Sequence, residues 1–434
     1  MLPPSTLLSL AVAGTVALGS TPSTASPVGI LGRSPSVLTS AGSVDPALVK
    51  REFEQSVGRS FAQLASVDSD KSDHDCPTRR TVSRKVKRAS TNIPLVNFHD
   101  LAYIAQIEVG TPAKPISVLL DTGSADILIP EVGDECTTAA PCYDPRRSRT
   151  AVQTGDSTTF TFGQGAYEGK IVEDKVRIGP FTKIKQAFGL ISSKASSAGF
   201  GGPTFGMLGL SYSSISKIAS PNFFDRLRSE KDLTENLFGL FVSRDRASGS
   251  ELTLGAVDPN RFHGVVTAVP VKSQTHWTLA MTHFLADTDL IYNSTAVYSA
   301  IDSGASNTII PKAATDAYYA KVEGSFADPA INVTTTINGA EVVGQIYGFP
   351  CAATLPRPGF VFDGGRRNNF RFDERDLILG PDDKDPSICY GSIIGADVTY
   401  GGQQAALIGL NFLRSWYSIY NFDDATVSFA RVTE

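Results

Sequence analysis

A ten-residue pattern recurs in this chain at an offset of 181 positions, and it narrows the fold more than any other feature. Asp121-Thr122-Gly123-Ser124-Ala125-Asp126-Ile127-Leu128-Ile129-Pro130 aligns without gaps on Asp302-Ser303-Gly304-Ala305-Ser306-Asn307-Thr308-Ile309-Ile310-Pro311. Asp, Gly, the second Ile and Pro coincide, and Thr/Ser, Asp/Asn and Leu/Ile are near matches. Each copy follows an apolar run, Ile116 to Leu120 or Val297 to Ile301, that reads as a strand. Each is followed later by a second apolar-Gly element, Met207-Leu208-Gly209-Leu210 or Leu407-Ile408-Gly409-Leu410. The distance from Asp to that later Gly is 88 residues in the first half and 107 in the second. A duplicated plan of this kind implies two similar all-β lobes. Composition agrees, because 38 Gly, 25 Pro and many short Val/Ile/Thr/Phe runs read as strands and turns and disfavour a helical fold.

Charge is divided unevenly. Residues 1–88 hold 11 Lys/Arg against 7 Asp/Glu, a net +4, and the remainder carries −9 of the overall −5. An acidic body argues against nucleic acid as a partner. The front of the chain reads as processing sequence. Leu7 to Leu18 is an apolar run too short to span a bilayer, followed by Ser/Thr/Pro-rich sequence, so residues 1–19 are expected to be a secretory signal. No later segment has the length of a membrane helix, and no membrane anchor is expected. Residues 20–88 then end in Arg79-Arg80, Arg84-Lys85 and Lys87-Arg88, which reads as a pro-segment cleaved after Arg88. Its positive charge suits docking over an acidic site before removal.

Of five cysteines, Cys76 falls in the expected pro-segment, leaving Cys136, Cys142, Cys351 and Cys389 in the body. Four cysteines permit three connectivities; the short Cys136/Cys142 spacing favours a small-loop bridge, which leaves the other two to pair. Disulfides need an oxidising compartment, in agreement with a signal. The five histidines are scattered and no Cys-x-x-Cys or His-Glu-x-x-His occurs, so no metal site is expected. Asn293-Ser294-Thr295 and Asn332-Val333-Thr334 are acceptor triplets for N-linked glycan.

The repeat itself carries the chemistry. A strand that ends in Asp-Thr/Ser-Gly presents a carboxylate at a lobe's edge, and the Gly keeps the turn free of a side chain. Two lobes related by a pseudo-twofold axis can bring two such aspartates together. Carboxylates ~3 Å apart cannot both ionise, so one keeps its proton while the other acts as base on a water held between them. No cofactor is needed for that reaction, and neither a Gly-x-Ser-x-Gly elbow nor a Walker loop is present.

These motifs resemble the pepsin-like aspartic endopeptidases. The similarity runs from Tyr103-Ile104-Ala105 through Gly110-Thr111-Pro112 to Phe429-Ala430, and takes in Leu237-Phe238-Gly239-Leu240-Phe241, Gly249 to Gly255 and Val269-Pro270-Val271. The shared-proton pair is also the chemistry that this resemblance implies. The resemblance implies an all-β, bilobal double β-barrel with pseudo-twofold symmetry and a few short helices. It implies lobes at 89–268 and 269–434, and bridges Cys136–Cys142 and Cys351–Cys389. Asp121 and Asp302 become the catalytic dyad, supported by Thr122, Gly123, Ser124, Ser303 and Gly304. The expected protein is a secreted, fungal-type zymogen, active at acidic pH on peptides bound in extended conformation. It is expected to be a monomer inhibited by its own pro-segment, placed outside the cell or in an acidic vacuole.

Further residues follow from the same comparison. Phe162-Gly163-Gln164-Gly165-Ala166 occupies the place of the flap tip, with Ile171 to Ile178 returning as a strand. Three departures stand out. Phe162 and Leu128 take the places of a Tyr and a Trp that hydrogen-bond each other in the family, so an apolar contact is expected instead. Ala305 takes the place of a hydroxyl residue, which leaves the Asp302 side expected to hold its proton more firmly and activity to extend to weaker acid. Leu410 replaces an Asp, which questions the local hydrogen bonding there. Leu119, Phe162 and Met207 map to the primary pocket, which should accept large hydrophobic side chains; Leu119 and Met207 also read as ordinary core. The competing classes are a catalytically silent pepsin-like peptide-binding or inhibitor protein, and a secreted β-sandwich module. The first should have lost an Asp or its Gly, and the second leaves the repeat unexplained.

Overall fold

A computed structural model describes residues 88–434, apart from 135, 138–140, 163–164, 193–204, 219, 245–247, 338–339, 364–368, 401 and 434. The expected signal at 1–19 lies outside the described residues, as does the pro-segment up to its last residue, Arg88. In the first half, Ala102–Val109 and Lys114–Asp121 form an antiparallel pair with Ile104 opposite Leu119. Lys114–Asp121 then runs parallel to Gly206–Gly209, and Ile127–Glu131 lies antiparallel on the far side of that short strand. The second half repeats the plan. Asp289–Ile301 runs parallel to Gln403–Ile408, and Thr308–Ile310 lies antiparallel on its other side through Ile309 and Leu407.

Thus each later apolar-Gly element is the strand caught between the two arms of an aspartate loop. That position is buried on both faces, which is why these stretches read as unbroken apolar runs without alternation. The two halves are sewn together by the end of the chain. Trp416–Asn421 pairs antiparallel with Leu237–Phe241, and Thr426–Val432 pairs with Phe262–Pro270, a strand that runs across the expected lobe division at 268/269. The protein is bilobal and all-β, as the repeat and the resemblance implied. Helices are short, chiefly Phe223–Ser229, Lys312–Tyr319 and Leu410–Leu413. The first is capped by Asn222, whose side chain accepts from Asp225 N at 2.8 Å.

One apolar core extends through both halves, including Leu120, Ile129, Leu208, Leu240, Trp277, Ile301 and Phe429. Cys136–Cys142 and Cys351–Cys389 are both bonded. Asn293 is exposed, whereas Asn332 is half-buried. Among the described residues no helix is long and apolar enough to cross a membrane.

Candidate active site

Asp121 is the last residue of Lys114–Asp121, and Asp302 directly follows Asp289–Ile301. Both are buried, 2% and 1% exposed. Gly123 N donates to Asp121 Oδ1 at 2.8 Å and Gly304 N donates to Asp302 Oδ1 at 2.7 Å, so each loop folds its amide back onto its own carboxyl group. The glycines are required by space and not by backbone twist, since neither has a positive φ. A Cβ on Gly123 would stand 2.5 Å from Asp302 Oδ2. A Cβ on Gly304 would stand 2.5 Å from Asp121 Oδ1 and 3.1 Å from Asp302 Oδ1. Each carboxyl group therefore lies against the other copy's glycine, and the two acids crowd the same point.

The hydroxyl residues between them lock the loops together. Thr122 Oγ1 donates to Ile301 O at 2.9 Å and accepts from Ser303 N at 2.9 Å. Ser303 Oγ donates to Leu120 O at 2.9 Å and accepts from Thr122 N at 3.1 Å. Four buried, reciprocal bonds explain why both copies carry a short hydroxyl residue here: it must donate and accept at once. Ser303 fills the role of Thr122 in mirror fashion.

Past the glycines the symmetry breaks. Ser124 Oγ donates to Asp121 Oδ2 at 2.7 Å and also lies 3.1 Å from Met207 Sδ, while its counterpart Ala305 has no hydroxyl. The doubt raised by Leu410 is answered by the backbone and by Asn411. Leu410 N donates to Ala305 O at 2.8 Å and Asn411 N to Ser306 O at 3.1 Å. The Asn411 side chain accepts from Thr308 Oγ1 at 2.7 Å and donates to Ser392 O at 3.0 Å.

Leu119 and Met207 face each other across the parallel pair and are buried in a cluster with Phe98, Leu128, Phe160 and Ile218. Leu128 sits in apolar surroundings, while the side chain of Phe162, its expected apolar partner, lies outside what the structure describes. The flap segment is a hairpin of Val152–Phe162 and Gly165–Ile178 that closes with Phe162 opposite Gly165. Gly163 lies outside the described residues. Sequence reading passed over Asp126, whose buried carboxyl accepts from Ser216 Oγ at 2.5 Å and Lys217 N at 2.8 Å. Burial raises its pKa above the usual carboxylate range, against these bonds. It pins the segment that delivers Ile218 to the cluster; the signal was its alignment with Asn307, which is likewise buried.

A bilobal all-β chain whose two halves each deliver a strand-end aspartate to one shared, hydroxyl-locked point has the form of a pepsin-like aspartic endopeptidase. The chain belongs to the eukaryotic aspartyl protease family, whose family model matches residues 102–432, and it is accordingly a hydrolase of peptide bonds. It is 31% identical to pepsin F of Oryctolagus cuniculus over 294 residues, covering 66% of this chain and 71% of that protein. It is 26% identical to cathepsin E of Mus musculus over 79% of this chain and 83% of the relative. Cathepsin D of Dictyostelium discoideum is 27% identical, over 79% and 86% respectively.

Proposed function

We propose that Asp121 and Asp302 are the catalytic dyad, hydrolysing peptide bonds beside large hydrophobic residues in acid. The observation that carries this reading is the crowding of both carboxyl groups against Gly123 and Gly304 across the Thr122–Ser303 lattice. With one proton shared between them, the ionised group takes a proton from a bound water as that water attacks the scissile carbonyl. The protonated group donates to the developing oxyanion, and the leaving nitrogen is protonated as the tetrahedral species collapses. Thr122, Gly123, Ser124, Ser303 and Gly304 hold the carboxyl groups still, so little reorganisation is needed during reaction.

An extended peptide lies between the dyad and the flap formed by Phe162, Gly163 and Gly165, whose closure excludes water. The preference for large apolar side chains is supported by the cluster that holds Leu119, Met207, Leu128 and Phe160. The protein is made as a secreted zymogen, active as a monomer outside the cell or in an acidic vacuole, with its pro-segment as inhibitor until cleavage after Arg88. Two observations favour that bond. Arg88 is exposed beside Glu235, Asp423 and Asp424. Ala89 is already tied into the body, with its N–H on Asp232 O at 2.8 Å and its carbonyl accepting from Thr234 N at 3.0 Å. Asn293 and Asn332 are the glycan acceptors.

The processed protein should cleave a denatured protein at mildly acidic pH and be blocked by a statine-type peptide. Intact substrate across the acidic range would remove the assignment and favour the silent binding protein. The missing hydroxyl at Ala305 gives a finer expectation. Ala305→Thr adds a donor on the Asp302 side, which favours the charged form, so the profile of kcat/KM against pH moves toward lower pH. A profile that stays in place excludes this account of the asymmetry.

A further inference from the structure

Behind the aspartate loops, five buried side chains among the described residues have polar atoms without a hydrogen-bond partner. They are Tyr212 Oη, both ring nitrogens of His276, Thr278 Oγ1, Ser418 Oγ and Tyr420 Oη. Four of the five gather around Trp277: His276 and Thr278 flank it in sequence, and the rings of Tyr212 and Tyr420 lie 4.6 and 5.2 Å from its own. Native interiors rarely leave so many polar groups unpaired in one place, and where they do, an ordered internal water is the usual partner.

The cluster meets the dyad lattice through Trp277, whose carbonyl accepts from Ile301 N at 3.0 Å while Ile301 O accepts from Thr122 Oγ1 at 2.9 Å, and Tyr420 packs on the Trp277 ring. Tyr420 is 0% exposed, with its ring stacked on Phe238 at 4.6 Å, so the hydroxyl cannot swing out to solvent. Ser418 is two residues earlier on the same strand, and so on the same face. Burial raises the Tyr420 pKa well above the usual phenol range. The Ser418 and Thr122 side chains oppose that rise and the Asp302 carboxylate adds to it, although Tyr420 Oη has no hydrogen-bond partner among the described protein atoms. His276 is no source of charge here, because burial lowers its pKa to about 3. Thr122 Oγ1 has already spent its proton on Ile301 O and one lone pair on Ser303 N, leaving one acceptor position.

We infer that Tyr420 is a positioning residue: its hydroxyl and that of Ser418 hold an internal water that donates to the last lone pair of Thr122 Oγ1, bracing the lattice that sets the two aspartates. The water acts on no substrate atom. It stops Thr122, and with it the Asp121 loop, from rocking against Ser303, and small misplacements of reacting groups are expensive in rate. This rests on the dyad assignment above.

The test uses the processed protein and a chromogenic peptide, with each variant assayed well below its melting temperature. Tyr420→Phe and Ser418→Ala each lower kcat roughly fivefold with KM unchanged. The double variant is no slower than the slower single one, because both remove the same water. High-resolution crystals of the wild type show a water about 2.7–3.2 Å from Tyr420 Oη, Ser418 Oγ and Thr122 Oγ1. A wild-type kcat in Tyr420→Phe, effects that multiply in the double variant, or no water at that point each overturns the inference. If the wild type itself fails to hydrolyse peptides, the dyad assignment falls, and the crystals still decide whether the water is there.

Discussion

Asp121→Asn abolishes peptide hydrolysis, lowering kcat by about 10,000-fold or more, and Asp302→Asn does the same. Asparagine is nearly the shape of aspartate and keeps an oxygen for the amide of Gly123 or Gly304, so the fold survives and circular dichroism is unchanged. It cannot accept the proton of the attacking water or carry the shared one. With the two acids acting as the proposed single unit, the double variant is no slower than either single one. Gly304→Ala reaches the same end by a different route. Its new methyl would stand 2.5 Å from Asp121 Oδ1, so the carboxyl groups must part before they can share a proton. Wild-type turnover in Asp121→Asn would place the chemistry elsewhere in the molecule.

Only those parts of such a site that are contiguous in the chain are written locally. The aspartate loops were legible because each is a short contiguous motif with its own strand before it, and because the duplication repeats it. The disulfides were legible by resemblance, since the residue spacing alone left three pairings open. The Thr122–Ser303 lattice was only half legible. The hydroxyls are visible in the sequence, but bonds between positions 181 apart appear only when the halves meet. Met207 shows the opposite limit. As a residue type it reads equally as pocket wall or core, and the structure buries it while also setting its sulfur 3.1 Å from Ser124 Oγ. Tyr420 gives no sequence signal at all, since one more aromatic in an apolar strand is unremarked until its hydroxyl is found without a partner. Long-range polar contacts leave no period and no motif, so they are what sequence reading misses.

The largest stability effect belongs to such a contact. Asp376, in the turn Glu374–Asp376, is 4% exposed and stands between two arginines from distant parts of the chain. Its Oδ1 accepts from Arg414 Nε at 2.6 Å, and its Oδ2 accepts from Arg244 Nε at 3.1 Å and Arg244 Nη2 at 2.5 Å. Removing the carboxylate leaves two guanidinium groups facing each other with Arg414 still buried. Asp376→Asn therefore destabilises the protein by about 3–5 kcal/mol, read as a lower urea midpoint. Arg244→Met costs less, because Arg244 is the more exposed partner and the Arg414–Asp376 pair survives it. The damage extends to the site. Arg414 Nη1 donates to Asp100 O at 2.8 Å, and the neighbouring Leu101 O accepts from Ser306 Oγ at 2.9 Å, within the loop that carries Asp302. The turn at His99 and Asp100, both at positive φ, is thus held from one side by Arg414 and from the other by the second aspartate loop. Loosening Asp376 frees the first anchor, so the folded Asp376→Asn protein also turns over more slowly at temperatures where it remains native. A loss below about 1 kcal/mol, with full activity, would mean that Asp100 O alone suffices to hold Arg414 in place.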